Sequence, residues 1–264
     1  DAAKKRKEPL DHLLCNGAAG LGKTTLVPAV SKEMAANIKI TSGPALEKTG
    51  DVAAILSALE PHDVLFIDEA HRVNTSVEEM LYPAMESRKI HVMLGKGLGS
   101  QMLSLDLPPF TLIAATTRVN LLSAPLRSRF GGMFKLEYYE LKDIQRIIAR
   151  SAELLGIEVE MDAIESLARA SRFTPRIANR LLKRARDFAE VENEKRITPE
   201  LATRALELFE IDALGLEAID RKLLEIIIKK FGNRPVGLTT LAAALGEDKG
   251  TIEEVYEPFL LRIG

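Results

Sequence analysis

The residues Gly17-Ala18-Ala19-Gly20-Leu21-Gly22-Lys23-Thr24 fit G-x-x-x-x-G-K-[ST], between a short apolar run and a helical pattern. Glycines there let successive backbone N–H groups turn toward phosphates, and the helix N-terminus adds its positive dipole end. Lys23 is spaced to reach the β and γ oxygens, and Thr24 to hold Mg²⁺. A second acidic feature is Val64-Leu65-Phe66-Ile67-Asp68-Glu69, an apolar run that ends in two carboxylates. If the run is a buried strand, Asp68 and Glu69 fall at the sheet's C-terminal edge, where open α/β sheets bind ligands. Asp68 would position Mg²⁺, and Glu69 would orient and polarise an attacking water.

Three further groups suit phosphoryl transfer. Ala114-Ala115-Thr116-Thr117-Arg118 is an apolar strand ending in hydroxyls, of which Thr117, with Thr116 close behind, could touch the γ-phosphate or the water. Pro125-Leu126-Arg127-Ser128-Arg129-Phe130 sets two guanidiniums in a loop far from this chain's own glycine loop, so an arginine there would act in trans at a subunit interface. Thr174-Pro175-Arg176 opens a later helix, from which Arg176 could report the state of the nucleotide. Each has a plain alternative: a β-branched strand end for the threonines, a solvated helical face for the arginines.

Positioning these groups requires a parallel sheet. Apolar runs at 12–15, 39–41, 63–67 and 111–115 read as strands, separated by helical patterns at 23–36, 51–60 and 76–86, with Asp51 and Ser76 as N-caps. These are βαβ units. A short strand is expected at 133–136. Beyond Leu136 the strand signal fades, and amphipathic helices are expected at 141–155, 162–171, 175–191 and 199–208. From Leu216 a helix runs to Lys230, followed by a turn at 232–235 and short helices at 238–245 and 251–261. Three short helices suit a helix-turn-helix or winged-helix module. The organisation expected is 1–138, 139–211 and 212–264, the last a partial winged helix because no β-wing follows Leu261.

Composition narrows the class. Hydrophobic residues make up 46% of 264, enough for more than one core, while 5% aromatics against 28% charged residues favours helices with solvated faces over a β-sandwich. A formal charge of -2 draws the chain as a whole to no polyanion, so contact with nucleic acid must be local. The single Cys15 lies in an apolar run, as a buried thiol of a reducing compartment would. No run reaches the ~18 apolar residues of a membrane span, and the charged segment from Asp1 to Glu8 is no signal peptide. A cytoplasmic protein is expected.

Glycine loop, Asp-Glu strand, Thr-Thr-Arg, Ser-Arg-Phe and Thr-Pro-Arg occur in the order of the AAA+ plan: Walker A, Walker B, sensor 1, arginine finger and sensor 2. More narrowly, Leu21-Gly22-Lys23-Thr24-Thr25-Leu26, Thr41-Ser42-Gly43-Pro44, Pro109-Phe110-Thr111-Leu112-Ile113 and Thr174-Pro175-Arg176-Ile177-Ala178-Asn179-Arg180 resemble the RuvB family, and the likeness covers nearly the whole chain. The resemblance implies an α/β fold, an AAA+ P-loop parallel sheet with a helical lid domain and a C-terminal, truncated winged-helix domain. It implies a homo-hexameric ring hydrolysing ATP to ADP with Mg²⁺, loaded by RuvA onto the duplex arms of four-way DNA junctions, with the RuvC resolvase as a further partner. Carried over by motif, Gly17, Gly20, Leu21, Gly22, Lys23, Thr24 and Thr25 bind nucleotide. Thr24 and Asp68 hold the metal, and Lys23, Asp68, Glu69, Thr117 and Arg129 act in catalysis. Tyr139 and Arg176 lie against the nucleotide. A hairpin from Ile90 to Asp106, with Met93, Leu103 and Leu105 as contact candidates, docks RuvA.

The sequence departs from the family in places. Gly17-Ala18-Ala19-Gly20 replaces Gly-Pro-Pro-Gly but keeps the N–H donors. Phe173 stands where the family has glycine, and a bulky side chain there is expected to shift the lid helix and displace Arg176. The family's adenine-packing N-terminal segment and basic wing have no counterpart, which implies weaker base selectivity and leaves the third segment's DNA contact open. Two other readings stand beside this one: the Asp68-Glu69-Ala70-His71 box of a different helicase superfamily, for which the chain is short, and a clamp-loader-like or regulatory AAA+ subunit. The basic run Arg180, Lys183, Arg184, Arg186 reads as a solvated face with Asp187 and Glu190 as partners.

Overall fold

The computed structural model describes residues 2–6, 8–94 and 101–264. The backbone divides into two compact units, 1–17 with 22–136 and 18–21 with 137–264. In the first, α1 (Ala2–Arg6) precedes β1 (Leu13–Asn16), α2 (Lys23–Met34), β2 (Ile38–Ser42), α3 (Thr49–Ser57), β3 (Val64–Asp68) and α4 (Thr75–Ser87). The strands β4 (Lys89–Leu94) and β5 (Gln101–Asp106), then β6 (Thr111–Thr116), α5 (Ala124–Arg127) and β7 (Gly132–Lys135) follow.

Five strands form a parallel sheet in the order β2-β3-β6-β1-β7. Its central strands are apolar throughout because both faces are covered. Side chains alternate between the faces. Leu14, Leu65, Ile67, Leu112 and Ala114 join one core with Val77 and Leu81 of α4. Cys15, Phe66, Ile113 and Ala115 join the other with Val27 of α2. Burial of Cys15 pushes its thiol pKa up, against a smaller lowering by Lys23, so it is a core side chain with little thiolate character.

The helix starts differ from expectation. Asp51 lies in the first turn of α3, where its carboxylate accepts the Lys48 N–H at 2.9 Å. Asn74, not Ser76, caps α4: its Oδ1 accepts the Val77 N–H at 3.0 Å and the Ser76 hydroxyl at 2.8 Å. In α4 the acceptor for the first free N–H groups, Asn74, lies upstream of Ser76, whereas in α3 Asp51 reaches back from the first turn to the preceding Lys48 N–H.

The hairpin β4–β5 pairs antiparallel, with Ile90 opposite Leu105. Leu105 is half-buried against the core, whereas Met102 (69% exposed) and Leu103 (42%) are exposed. Gln101, expected within a turn at 95–101, instead opens β5, and residues 95–100 and the Met93 side chain lie outside the described residues.

The second unit contains α6 (Leu141–Leu155), β8 (Glu158–Val159), α7 (Met161–Arg169), α8 (Pro175–Val191), β9 (Arg196–Ile197) and α9 (Pro199–Leu208) around one core. The strands β8 and β9 pair over two residues each, too short to leave a periodic signal. A smaller core joins α10 (Ala218–Phe231) and α11 (Leu238–Leu245) to the terminal helices. The helix expected at 251–261 is broken into α12 (Lys249–Thr251), a π-helical turn (Ile252–Tyr256) and α13 (Glu257–Arg262). Pro258 explains the break, since it has no N–H to give the Glu254 carbonyl and α-helical hydrogen bonding cannot run through it. Among the described residues no helix is long and apolar enough to cross a membrane.

Candidate active site

The glycine loop leaves β1 and enters α2 through Gly22, whose φ of 97° is a left-handed conformation that glycine adopts without steric cost. Its first residue is tied to the sheet, the Gly17 N–H donating to the Thr116 carbonyl at 3.2 Å. Lys23 is 6% exposed, and its Nζ donates to the Gly17 carbonyl at 2.7 Å, so the ammonium folds back over the loop. Thr24 and Thr25 follow in the exposed first turn of α2, and Leu21 is buried.

Register on the sheet brings the acidic strand to the same edge. The Thr24 hydroxyl donates to Asp68 Oδ2 at 2.8 Å. A hydroxyl and a carboxylate are hard oxygen donors of the kind Mg²⁺ takes from a protein when phosphates and waters complete its shell. The donor set therefore fits that ion. Among the described residues no cluster of three or more His, Cys, Asp or Glu could hold a metal by itself.

Glu69 adopts φ 48°, ψ 46°, a left-handed conformation that costs a non-glycine residue about 1–2 kcal/mol. Its carboxylate Oε2 lies 3.4 Å from His71 Nδ1. That nitrogen also lies 2.9 Å from Thr116 Oγ1, and the same oxygen accepts the Arg118 N–H at 3.0 Å. Thr116 is fully buried and engaged, while its neighbour Thr117 is half-buried at the strand's end. Burial lowers the His71 pKa; Glu69 opposes this, and Arg118, Arg72 and Lys23 add to it. Sequence reasoning met His71 only as the last letter of an Asp-Glu-Ala-His box. Its role in space depends on the short 3-10 turn after β3, which no periodicity announces.

Arg129 is held elsewhere in the first unit. Its guanidinium donates to the Pro125 carbonyl at 2.7 Å, pairs with Glu86 at 3.0 Å and lies 4.5 Å from the centre of the Tyr82 ring. None of these partners belongs to the glycine loop or the acidic strand.

In the second unit, the Arg176 N–H approaches the Gly20 carbonyl at 3.4 Å, and the Tyr139 hydroxyl approaches the Leu21 carbonyl at 3.4 Å. Phe173 takes the left-handed conformation, φ 57°, its ring lies 4.7 Å from the Arg262 guanidinium, and α8 begins at Pro175. Of the basic run on α8, Arg180 pairs with Glu217, Arg184 stacks on Phe209, and Arg186 pairs with Asp187 and Glu190.

A parallel sheet whose C-terminal edge brings a lysine-bearing glycine loop to an Asp-Glu strand end, with a helical lid in the same chain, defines a P-loop ATPase of the AAA+ type. Family comparison makes the class specific. The family model described as the Holliday junction DNA helicase RuvB P-loop domain matches residues 1–136, the RuvB AAA lid domain 139–212, and the RuvB C-terminal winged helix domain 213–264. The Thermotoga maritima RuvB Holliday junction branch migration motor is 49% identical, with a TM-score of 0.89 over 100% of this chain and 83% of that one. A proline-to-glycine variant of the same Thermotoga protein is also 49% identical, with a TM-score of 0.91 over 100% and 84%. The chain belongs to the RuvB family of branch-migration ATPases.

Proposed function

We propose that this chain hydrolyses ATP to drive branch migration of Holliday junctions in homologous recombination and DNA repair. The observation that carries the catalytic part is the contact between the Thr24 hydroxyl and Asp68 at the mouth of the glycine loop. The N–H groups of 17–22 and the Lys23 ammonium bind the phosphates, Lys23 exchanging the Gly17 carbonyl for phosphate oxygens. Thr24 and Asp68 hold Mg²⁺, which when bound neutralises charge on the β- and γ-oxygens. Glu69 orients the attacking water and takes up its proton, and Thr117 hydrogen-bonds the water or the γ-phosphate from the next strand. Thr25 contacts the phosphates from the first turn of α2, Arg176 senses the nucleotide from the lid, and Tyr139 packs near it.

Arg129 serves a neighbouring subunit's nucleotide, which suits its anchorage on Tyr82 and Glu86 away from its own loop. The functional divisions are 1–138 for hydrolysis, 139–211 for the lid and 212–264 for contact with duplex DNA. The working assembly is a cytoplasmic homo-hexamer that meets RuvA through the outward residues of the β4–β5 hairpin, with RuvC as a further partner.

Nucleotide binding and steady-state hydrolysis measured on Lys23→Ala and Glu69→Gln test the site. Lys23→Ala is expected to abolish binding, and Glu69→Gln to bind normally and turn over at least about 100-fold more slowly. Wild-type turnover in Glu69→Gln contradicts the assignment, and absent turnover in the unaltered protein would leave a nucleotide-dependent assembly switch.

A further inference from the structure

We propose that His71 is a positioning residue for Glu69, its Nδ1–H passing between Thr116 Oγ1 and the Glu69 carboxylate and so linking the orientation of the water-activating group to the end of β6. This rests on the reading of Glu69 as the residue that orients the attacking water.

The geometry favours one tautomer of the ring. His71 Nδ1 has two oxygens in reach, Thr116 Oγ1 at 2.9 Å and Glu69 Oε2 at 3.4 Å. A carboxylate can only accept, so an unprotonated Nδ1 facing it would set lone pair against lone pair. The carboxylate therefore favours the tautomer protonated on Nδ1. At 2.9 Å that proton is given to Thr116, and at 3.4 Å Glu69 stands just beyond a normal hydrogen bond. A small rotation of the Glu69 side chain converts one arrangement into the other.

The imidazole is well placed to hold that relation. Its side chain is 11% exposed and that of Glu69 39%, so the carboxylate reaches solvent while the ring that steadies it does not. Thr116 is fully buried, and its Oγ1 is fixed further by the Arg118 N–H. Its carbonyl accepts the Gly17 N–H. One residue thus touches the start of the glycine loop, the strand carrying Thr117 and, through His71, the Glu69 carboxylate. Burial, with the charges of Arg118, Arg72 and Lys23, lowers the ring's pKa against the opposing Glu69, which favours a neutral donor that steers the carboxylate without neutralising it. Partners that orient a reacting side chain in this way commonly contribute 10–100-fold to activity.

The test compares side chains that return an N–H at different places. Asparagine puts its amide N–H close to the Nδ1 position, whereas glutamine puts it near Nε2. Steady-state ATP turnover and Kd for a fluorescent ATP analogue would be measured on the full chain for His71→Asn, His71→Gln, His71→Ala and Glu69→Gln. The expected result is Kd within about twofold throughout, turnover within about threefold of the unaltered protein for His71→Asn, and a loss of at least about tenfold for His71→Gln and His71→Ala. Equal turnover in His71→Asn and His71→Gln, or unchanged turnover in His71→Ala, overturns the proposal even if Glu69→Gln is inactive. Unchanged turnover in Glu69→Gln overturns it together with the reading of Glu69 on which it rests. If His71→Ala does not fold, the Asn–Gln pair alone decides.

Discussion

Glu69 and Gly43 hold each other in place. A Cβ built on Gly43 would come 2.4 Å from the Glu69 carbonyl oxygen, so only glycine lets the turn after β3 lie against the end of β2. Gly43→Ala must push that turn aside, and overpacking of this kind typically costs about 1–3 kcal/mol. We expect a lower melting temperature together with reduced ATP turnover; wild-type turnover would show that the Glu69 turn tolerates displacement. Arg129 makes the opposite case, since its partners lie away from the glycine loop. Arg129→Ala is expected to leave nucleotide Kd nearly unchanged and to lower turnover by about 10³, and equal loss of binding in Arg129→Ala and Lys23→Ala would contradict action in trans. The placement of Lys23, Thr24, Asp68 and Glu69 at one edge of the sheet was legible in the sequence because their motifs have fixed spacing. His71 was not, because its partners are a residue two positions away on a left-handed turn and a threonine 45 positions away.

At the scale of elements, the sheet was legible because buried parallel strands leave unbroken apolar runs, and α6, α8 and α9 because their buried faces repeat at helical spacing. Caps were less so. Both Asp51 and Ser76 can accept a hydrogen bond, but the cap is decided by which side chain meets the first free N–H groups, and in α4 that is Asn74. Asn74→Ala is expected to cost about 1 kcal/mol of stability, read by denaturant unfolding, and no change would mean that water replaces the cap. His12 ties β6 to α4: its Nδ1 accepts the Leu112 N–H at 2.8 Å, and Nε2 faces the Met85 carbonyl at 3.3 Å. Burial, the largest cause, holds its pKa below the ordinary value. The neutral ring is favoured by folding, so its contribution is full above the unfolded value of about 6.5 and is lost as pH falls through that value toward the folded one. Thermal melts between pH 7.5 and about 5 should lose stability more steeply for the unaltered protein than for His12→Gln. Equal slopes would show that His12 does not titrate in that window.

For the whole molecule, the proposed assignment of Arg129 to a neighbouring copy's nucleotide carries the expectation that hydrolysis requires assembly. Specific ATPase activity is expected to rise with protein concentration, and a flat value across about a hundredfold dilution would contradict a shared site. What the sequence could not specify at this scale follows from physics as well: surfaces depend on the fold, and Met102, which was not among the contact candidates, is an ordinary apolar residue until the hairpin exposes it beside Leu103. Steady-state ATP hydrolysis with and without a synthetic four-way junction and RuvA tests the branch-migration account most directly. The account predicts stimulation by junction and RuvA together that disappears in Glu69→Gln; basal turnover that neither addition changes would contradict it.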